Sequence, residues 1–263
     1  MRALFTTAAL LLVASNTYAA DAVVADEVAV IAPDTFSWTG GYIGINAGYA
    51  GGKFKSHYED TTVFIPVGQN LRSSFNPYEL GGDWEDNANG FVGGVQTGYN
   101  WQFQNGIVLG AEADFQGSTL KSKTYGSDDF GFVRENSELT TKVQWWGTVR
   151  ARLGYTPTDR VLVYGTAGLA YGKVKTSYSY NEILGDDDSF NAGFSSSKTK
   201  AGWTVGAGAE YAITNNWTLK SEYLYTDLGK ARGEASFNTF YNTYDFESKI
   251  KFHTVRVGLN YKF

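Results

Sequence analysis

Charged side chains recur at every second position in several segments that are otherwise apolar or small. This spacing places both charges on one face of an extended chain, because successive residues of a strand point to opposite sides. Acidic and basic pairs fall on successive segments, so antiparallel neighbours would bring opposite charges together. We therefore predict a charged layer on one face of a sheet, formed by Glu112, Asp114, Arg150, Arg152, Glu210, Lys220, Glu222 and Arg256.

This charged layer could serve one of two purposes. Paired charges would fill and close a narrow interior, since an unpaired buried charge is strongly unfavourable. Pairs that exchange partners would instead open a narrow ion path. Four acids against four bases favour the closed, neutral layer, and the ion path is the alternative.

Lysines form a second pattern of alternate positions, near the ends of the same segments. Both members of each pair share a face while strand geometry lasts, and ammonium groups bind phosphate oxygens. We expect a basic collar that contacts phosphate groups, whereas lysines that only terminate and solubilise strand ends are the alternative. The collar comprises Lys53, Lys55, Lys121, Lys123, Lys173, Lys175, Lys249 and Lys251, and the spacing recurs at Lys198/Lys200 and Lys230/Arg232.

Residues suited to catalysis or metal binding are scarce. The chain has no cysteine and two histidines, His57 and His253, and no serine stands near a histidine and an aspartate at a recognisable spacing. The acidic pair of the charged layer is opposed by arginines, which lower carboxyl pKa values. Acidic runs at 83–86, 128–129 and 186–188 lack the ligand spacing of a calcium loop. We predict no enzymatic activity, no metal and no cofactor.

Strands must position these side chains, and apolar alternation predicts eight of them. Between residues 41 and 51, Ile43 and Ile45 alternate with glycine and asparagine. In the segment 142–155 the alternation directs Val143 and Trp145 to the apolar face and Gln144 to the polar face. The remaining segments are 91–103, 107–115, 161–172, 203–213, 217–225 and 254–263.

Composition and charge narrow the class of protein. The chain has 263 residues, 16% of them aromatic, with 31 glycines and no cysteine, which excludes a collagen, a disordered tail and a disulfide scaffold. A net charge of -5 disfavours a nucleic-acid partner. Residues 1–19 resemble a cleaved signal peptide, with an uncleaved anchor as the alternative. Residues 20–37 are interpreted as a periplasmic tether, with a short strand at 28–31 as the alternative.

The position of the charges decides what kind of barrel the strands form. A barrel in lipid turns apolar residues outward and polar residues inward, and a soluble lipocalin-like barrel, the alternative, does the reverse. Short turns at 104–106, 156–160 and 214–216 contrast with four stretches of roughly 20 to 35 residues. We predict an all-β fold for residues 38–263, an eight-stranded antiparallel up-and-down transmembrane β-barrel with short periplasmic turns and four long extracellular loops.

The last strand ends at the chain terminus with Tyr261 and Phe263 on the apolar face. A terminal aromatic residue in this position resembles the assembly signal of outer-membrane barrels. The barrel-assembly machinery is therefore an expected partner.

Six segments carry a resemblance to a known family: 36–52, 93–102, 147–155, 163–172, 216–229 and 252–263. They include the runs FSWTGGYIGINAGYAGG, GTVRARLGY and FHTVRVGLNYKF. The chain resembles the outer-membrane immunogenic proteins of alphaproteobacteria, porin-like surface antigens of the outer-membrane β-barrel superfamily. This resemblance implies an abundant protein of the Gram-negative outer membrane that contacts lipopolysaccharide and peptidoglycan and displays immunodominant loops.

Some members of this family are described as hemin-binding proteins or as porins. His57, near the aromatic residues Tyr58, Phe64 and Phe75, is the candidate axial ligand for hemin. We predict a non-enzymatic structural and surface-interaction protein, with a narrow porin or a hemin-binding surface as the alternative. Its expected partners are outer-membrane lipid and lipopolysaccharide, whose phosphates the lysine collar is expected to contact, with peptidoglycan, host factors or hemin reached through the loops. The sequence leaves the oligomeric state open.

Overall fold

Nine strands make up the described chain. The computed structural model describes residues 35–62, 78–129, 133–184, 188–237 and 242–263. The predicted signal peptide and most of the predicted tether lie outside these residues. The strands are β1 (Gly40–Thr62), β2 (Tyr78–Gln102), β3 (Ile107–Ser118), β4 (Lys121–Asp129), β5 (Val133–Thr158), β6 (Val161–Leu184), β7 (Asp188–Ala212), β8 (Trp217–Phe237) and β9 (Asn242–Lys262).

The strands form a closed antiparallel barrel, since β1 pairs with both β2 and β9. β3 and β4 follow one another along a single barrel strand, separated by Thr119 and Leu120, so the barrel has eight strands. Each residue has a register partner on the next strand, and these partners can be followed once around the barrel. A path that starts at Asp227 of β8 and passes first to β7 returns to β8 at Trp217, ten residues earlier in the chain, which is the stagger of the strands. Such a barrel is only wide enough for its own side chains. The predicted eight-stranded barrel is confirmed.

Side chains alternate between the outside and the inside of this barrel. On the outside, Phe91 is 72% exposed and Leu169 is 71% exposed, whereas Arg150 and Lys220 inside are 2% and 0% exposed. Apolar residues therefore cover the outer surface and charged residues fill the interior. This is the distribution expected of a barrel that lies in lipid.

A β-bulge in β5 reverses the predicted phase of its upper half. Gln144 is an extra residue relative to the pairing strand β6, so Gln144 and Trp145 both lie on the outer side. Val143 is consequently buried inside, which corrects the prediction that it points outward and that Gln144 points inward. Trp146 is also buried inside, while Lys142, beyond the bulge, is exposed outside. The bulge lets two adjacent tryptophans occupy opposite faces while the ladder continues.

The strands continue far beyond the length that a membrane crossing needs. A tilted strand crosses the hydrocarbon in about 9–11 residues, whereas β1 has 23 residues and β5 has 26. The stretches predicted as long loops are therefore largely strand. Their serine, threonine and asparagine residues carry no apolar alternation, so periodicity did not reveal the pairing.

Above the closed part, the ladder divides into two four-stranded sheets. Among the described residues, β7 and β8 pair no higher than Trp203 and Asp227, and β2 and β4 share the one pair Asn89–Lys121. One upper sheet contains the upper parts of β4, β5, β6 and β7. The other contains the upper parts of β8, β9, β1 and β2. Two seams separate the sheets, one between β7 and β8 and one between β2 and β4.

Inner-face glycines make room for the charged side chains, as Gly168 does opposite Arg150. A Cβ atom on Gly168 would lie 2.1 Å from the Val149 carbonyl oxygen, whereas one on outward-facing Gly165 would lie 3.9 Å from its nearest neighbour. We expect Gly168→Ala to destabilise the barrel by about 1–3 kcal/mol through overpacking. Gly165→Ala, in the same strand, is the matched control. Urea unfolding midpoints in detergent micelles test this, and equal midpoints for the two variants would contradict it.

Candidate functional sites: the charged layer and the lysine collar

The eight residues of the predicted charged layer all lie inside the barrel. They occupy even-numbered positions, which the alternation of each strand turns inward, and none is more than 5% exposed. The acids and bases come from five different strands, namely β3 (Glu112, Asp114), β5 (Arg150, Arg152), β7 (Glu210), β8 (Lys220, Glu222) and β9 (Arg256).

Arg150 lies at the centre of the layer. Its guanidinium donates to Glu112, to Asp114 Oδ2 at 3.0 Å and to Glu222 Oε1 at 3.0 Å. Its Nε donates to the hydroxyl of Thr148 at 2.9 Å. One arginine thereby joins acids from β3 and β8, which are not neighbouring strands.

Arg256 and Lys220 complete the neutralisation of these acids. Arg256 lies 2.8 Å from Asp114 Oδ2 and 2.6 Å from Glu222 Oε2. The Lys220 ammonium donates to both carboxylate oxygens of Glu112, at 2.9 and 3.0 Å. Glu112, Asp114 and Glu222 therefore each meet at least two bases, which offsets the cost of removing the charges from water.

The ion pairs run across the lumen as well as between neighbouring strands. Glu210 faces Lys220 in register, as the sequence predicts, yet its ion pair is with Arg152 at 2.8 Å. Lys220 reaches across the lumen to Glu112 instead. The Arg152 guanidinium also lies 3.9 Å from the ring centroid of Tyr164, a cation–π contact.

Apolar clusters close the lumen above and below the charged layer. The upper cluster consists of inner-face side chains that are at most 5% exposed, and its largest members are Phe54, Leu120, Trp146, Leu228, Ile250 and Phe252. The lower cluster includes Phe36, Trp38, Val108, Leu162 and Ala212. The ions therefore lie between two layers that exclude water.

Residues ahead of β1 form the lower closure. The Trp38 indole donates to the carbonyl of Asp159 at 3.0 Å, and its backbone N–H donates to Gln102 Oε1 at 2.8 Å. Phe36 packs edge-to-face on Trp38, with ring centroids 4.9 Å apart. Sequence reasoning missed this closure, and the signal for it was two aromatic residues, Phe36 and Trp38, next to the first strand.

All eight predicted collar lysines lie on the outer face. The residues between the members of each pair are buried inside, namely Phe54, Ser122, Val174 and Ile250. Alternation therefore turns the flanking lysines outward. The predicted i, i+2 spacing places both members of each pair on the outer surface.

Three lysines stand side by side on this face and are called the lysine row below: Lys121, Lys142 and Lys175. Lys121 is the direct register partner of Lys142, and Lys142 is the partner of Lys175. Like charges directly opposite each other destabilise a sheet. Sequence reasoning missed Lys142 because the β5 bulge, not simple alternation, turns it outward.

Three other cations of the outer face have acidic partners. The pairs are Lys123–Glu138 at 2.7 Å, Lys230–Glu247 at 2.6 Å and Lys251–Asp227 at 3.1 Å. The hydrogen bond from Lys123 holds the pKa of the Glu138 carboxyl below its usual range. By contrast, no carboxylate of the described residues forms an ion pair with any member of the lysine row.

An aromatic band lies directly below the lysine row. It contains Phe115, Trp145 and Tyr171, with ring centroids 5.4 Å and 6.2 Å apart in succession. Trp145 is the register partner of the collar residue Lys173. Outward aromatic rings at one level are typical of the boundary between hydrocarbon and headgroups.

Three further predictions concern the hemin ligand, the C-terminal assembly signal and metal binding. The side chain of the candidate hemin ligand His57 lies outside the described part of the structure. Tyr261 and Phe263, the predicted assembly signal, are 37% and 74% exposed on the outer face. The described ranges contain no group of three metal-ligating side chains. Within the same ranges, no helix has the length and apolar character to cross a membrane.

Removal of one base should leave acids of the layer buried and underpaired. We expect Arg256→Met to destabilise the barrel by about 3–5 kcal/mol, because Asp114 and Glu222 each lose an ion pair. The double variant Arg256→Met/Glu222→Gln restores the balance of charge and should be more stable than the single variant. Urea unfolding followed by tryptophan fluorescence measures both. A double variant that unfolds more easily than Arg256→Met would contradict this account.

Known proteins are similar in sequence to this barrel. A family model for the outer membrane protein beta-barrel domain matches residues 5–263. A 31 kDa outer-membrane immunogenic protein of Brucella melitensis is 56% identical over 255 residues, which cover 95% of each chain. A 22 kDa outer membrane protein of Rhizobium leguminosarum is 38% identical over 72% of this chain and 74% of its own. The chain therefore belongs to the outer membrane protein β-barrel family and is a protein of the Gram-negative outer membrane.

Proposed function

We propose that this protein is a structural barrel with a closed lumen. It binds lipopolysaccharide phosphates through its lysine collar and displays its upper sheets at the cell surface. The observation that carries the proposal is the lysine row, three outward lysines in direct register above an aromatic band. Several relatives are named immunogenic proteins, which supports surface display.

The charge arrangement supports an anionic partner at this level. Three adjacent lysines repel one another, and phosphate oxygens between them would turn this repulsion into charge-assisted hydrogen bonds. Outward aromatic rings are typical of the membrane interface, which supports a position of the row near the phosphates of the outer leaflet. Lysines that only solubilise strand ends need no such direct opposition.

The filled lumen supports a structural role over transport. A pore needs a continuous water path, whereas the charged layer is enclosed by an apolar cluster on each side. Movement of an ion through the barrel would require the ion pairs and both clusters to open together. Hemin binding at His57, and contacts with peptidoglycan or host factors, stay predictions from the sequence.

Removal of two lysines of the row tests the collar. We expect Lys142→Gln/Lys175→Gln to weaken binding of lipid A by about 2 kcal/mol, roughly 30-fold at low salt, since each interfacial lysine contributes about 1 kcal/mol. The measurement is a titration of the refolded barrel with labelled lipid A. Dephosphorylated lipid A should bind the wild-type protein weakly.

The matched control removes the same charge from lysines that already have acidic partners. Lys230→Gln/Lys251→Gln breaks the pairs with Glu247 and Asp227 and should reduce lipid A affinity much less. Lys251 belongs to the collar, but Asp227 already neutralises its charge. Equal losses for the two double variants would therefore refute a specific role of the lysine row in binding phosphate. So would equal affinity for phosphorylated and dephosphorylated lipid A.

Planar bilayer recording tests the closed lumen. We expect the wild-type barrel to show no steady conductance, because the described inner side chains fill the interior from the lower cluster to the upper one. Insertion is checked in the same preparation by the heat-dependent gel migration of the folded barrel. Steady conductance from inserted protein would favour the porin alternative.

A further inference from the structure

The upper part of β7 has a partner on only one side. It pairs with β6 as far as Asp188, opposite Leu184. On its other side, the described residues of β8 pair with β7 only as far up as Trp203. The segment 188–202 is therefore a sheet edge whose outward backbone N–H and C=O groups have no strand partner within the described structure.

The local geometry of β8 explains why the two strands separate. A bulge interrupts the pairing of β8 with β9 between Asp227 and Lys230. Gly229 within it has a φ of 72°, and its N–H donates to Asp227 Oδ1 at 2.8 Å. Above this bulge β8 continues to pair with β9 as far as Phe237. Above the bulge, β8 therefore pairs with β9 in the other upper sheet and, among the described residues, no longer pairs with β7.

The second seam differs, because it is bridged. The Thr124 hydroxyl of β4 donates to the carboxylate of Asp86 on β2, just above the backbone pair Asn89–Lys121. β6 pairs with the upper part of β7 along its whole length, so β7 stays in its sheet without a side-chain bridge of this kind. The edge of β7 is therefore the more open of the two.

Two lysines, Lys198 and Lys200, make this edge of the sheet basic. Lys198 and Lys200 are the register partners of Val174 and Gly172, and Val174 is buried inside. Directly paired residues share a face, so both lysines lie on the inner face of the upper sheet. Neither has an ion pair with a carboxylate in the ranges that the structure describes.

We propose that the upper edge of β7 binds an extended acidic peptide segment of another protein as an added β-strand. Main-chain hydrogen bonds to residues 188–202 would supply the affinity, and alternate acidic side chains would lie beside Lys198 and Lys200. Lysines at an edge discourage pairing between identical edges, so the same residues that attract an acidic strand disfavour a second copy of this chain. The proposal is independent of the lysine collar, which lies on the outer face of other strands.

The test uses the full barrel refolded in detergent and a labelled peptide of about ten residues that alternates glutamate with threonine. We expect saturable binding by fluorescence anisotropy, and slower hydrogen exchange of amides within 188–202 when the peptide is bound. The same peptide N-methylated at every residue keeps its charge but has no amide hydrogen to donate from either edge, and it should bind about tenfold more weakly or worse. Equal binding of the N-methylated peptide would overturn strand addition.

Charge-reversal variants test the role of the two lysines. Lys198→Glu/Lys200→Glu should weaken binding of the glutamate peptide by about tenfold or more and allow a lysine–threonine peptide to bind. The matched control Lys142→Glu/Lys175→Glu makes the same change of net charge on the outer face. These lysines belong to the proposed lipid site, so the control is compared for peptide binding alone, and it should bind both peptides as the wild-type protein does. Equal effects of the two double variants would show attraction by overall charge and would refute the site. Formation of a dimer through residues 188–202, seen by sedimentation and exchange, would also refute it.

Discussion

Hydrocarbon offers no hydrogen-bond partner to a peptide group, and the rest of the structure depends on this constraint. The pairing of β1 with β9 meets it by closing the sheet, so that the membrane-spanning part has no edge. Eight strands at this stagger enclose a space that side chains fill completely. The inner face must then carry small residues, such as Gly168, or large residues that satisfy one another, such as Arg150 and Glu112.

The same constraint no longer applies above the membrane, where water can satisfy a strand edge. The ladder there separates into two sheets, and bulges in β5 and β8 mark the change. The bulge in β5 turns Lys142 outward and Val143 inward at the level where the surface changes from aromatic to basic. The single extra residue Gln144 therefore has two effects: it places Val143 in the apolar cluster inside the barrel, and it places Lys142 in the lysine row outside.

Sequence alternation predicted the faces well, because period two is the direct signature of a strand with different surroundings on each side. It predicted Ile43 outside and the charged layer inside. It did not predict the phase of Lys142, since a bulge adds one residue without a distinctive composition. Nor did it predict the partner of Lys220, because register identifies neighbours along the wall and carries no information on contacts across the lumen. The upper part of β7 was missed because its serines and lysines lack apolar alternation.

The charged layer connects strands that lie on opposite walls, with Arg150 joining acids of β3 and β8. Cross-lumen bonds such as those from Arg150 to Glu222 and from Lys220 to Glu112 cannot form while the sheet is still open. Closure therefore completes a charge neutralisation that the register neighbours Glu112 and Arg150 can begin. We expect opening of the barrel to break these buried ion pairs before water can hydrate the charges, which would raise the activation barrier to unfolding. The lifetime of the native barrel in the envelope should therefore be set by kinetics, and exceed what its equilibrium stability alone would suggest.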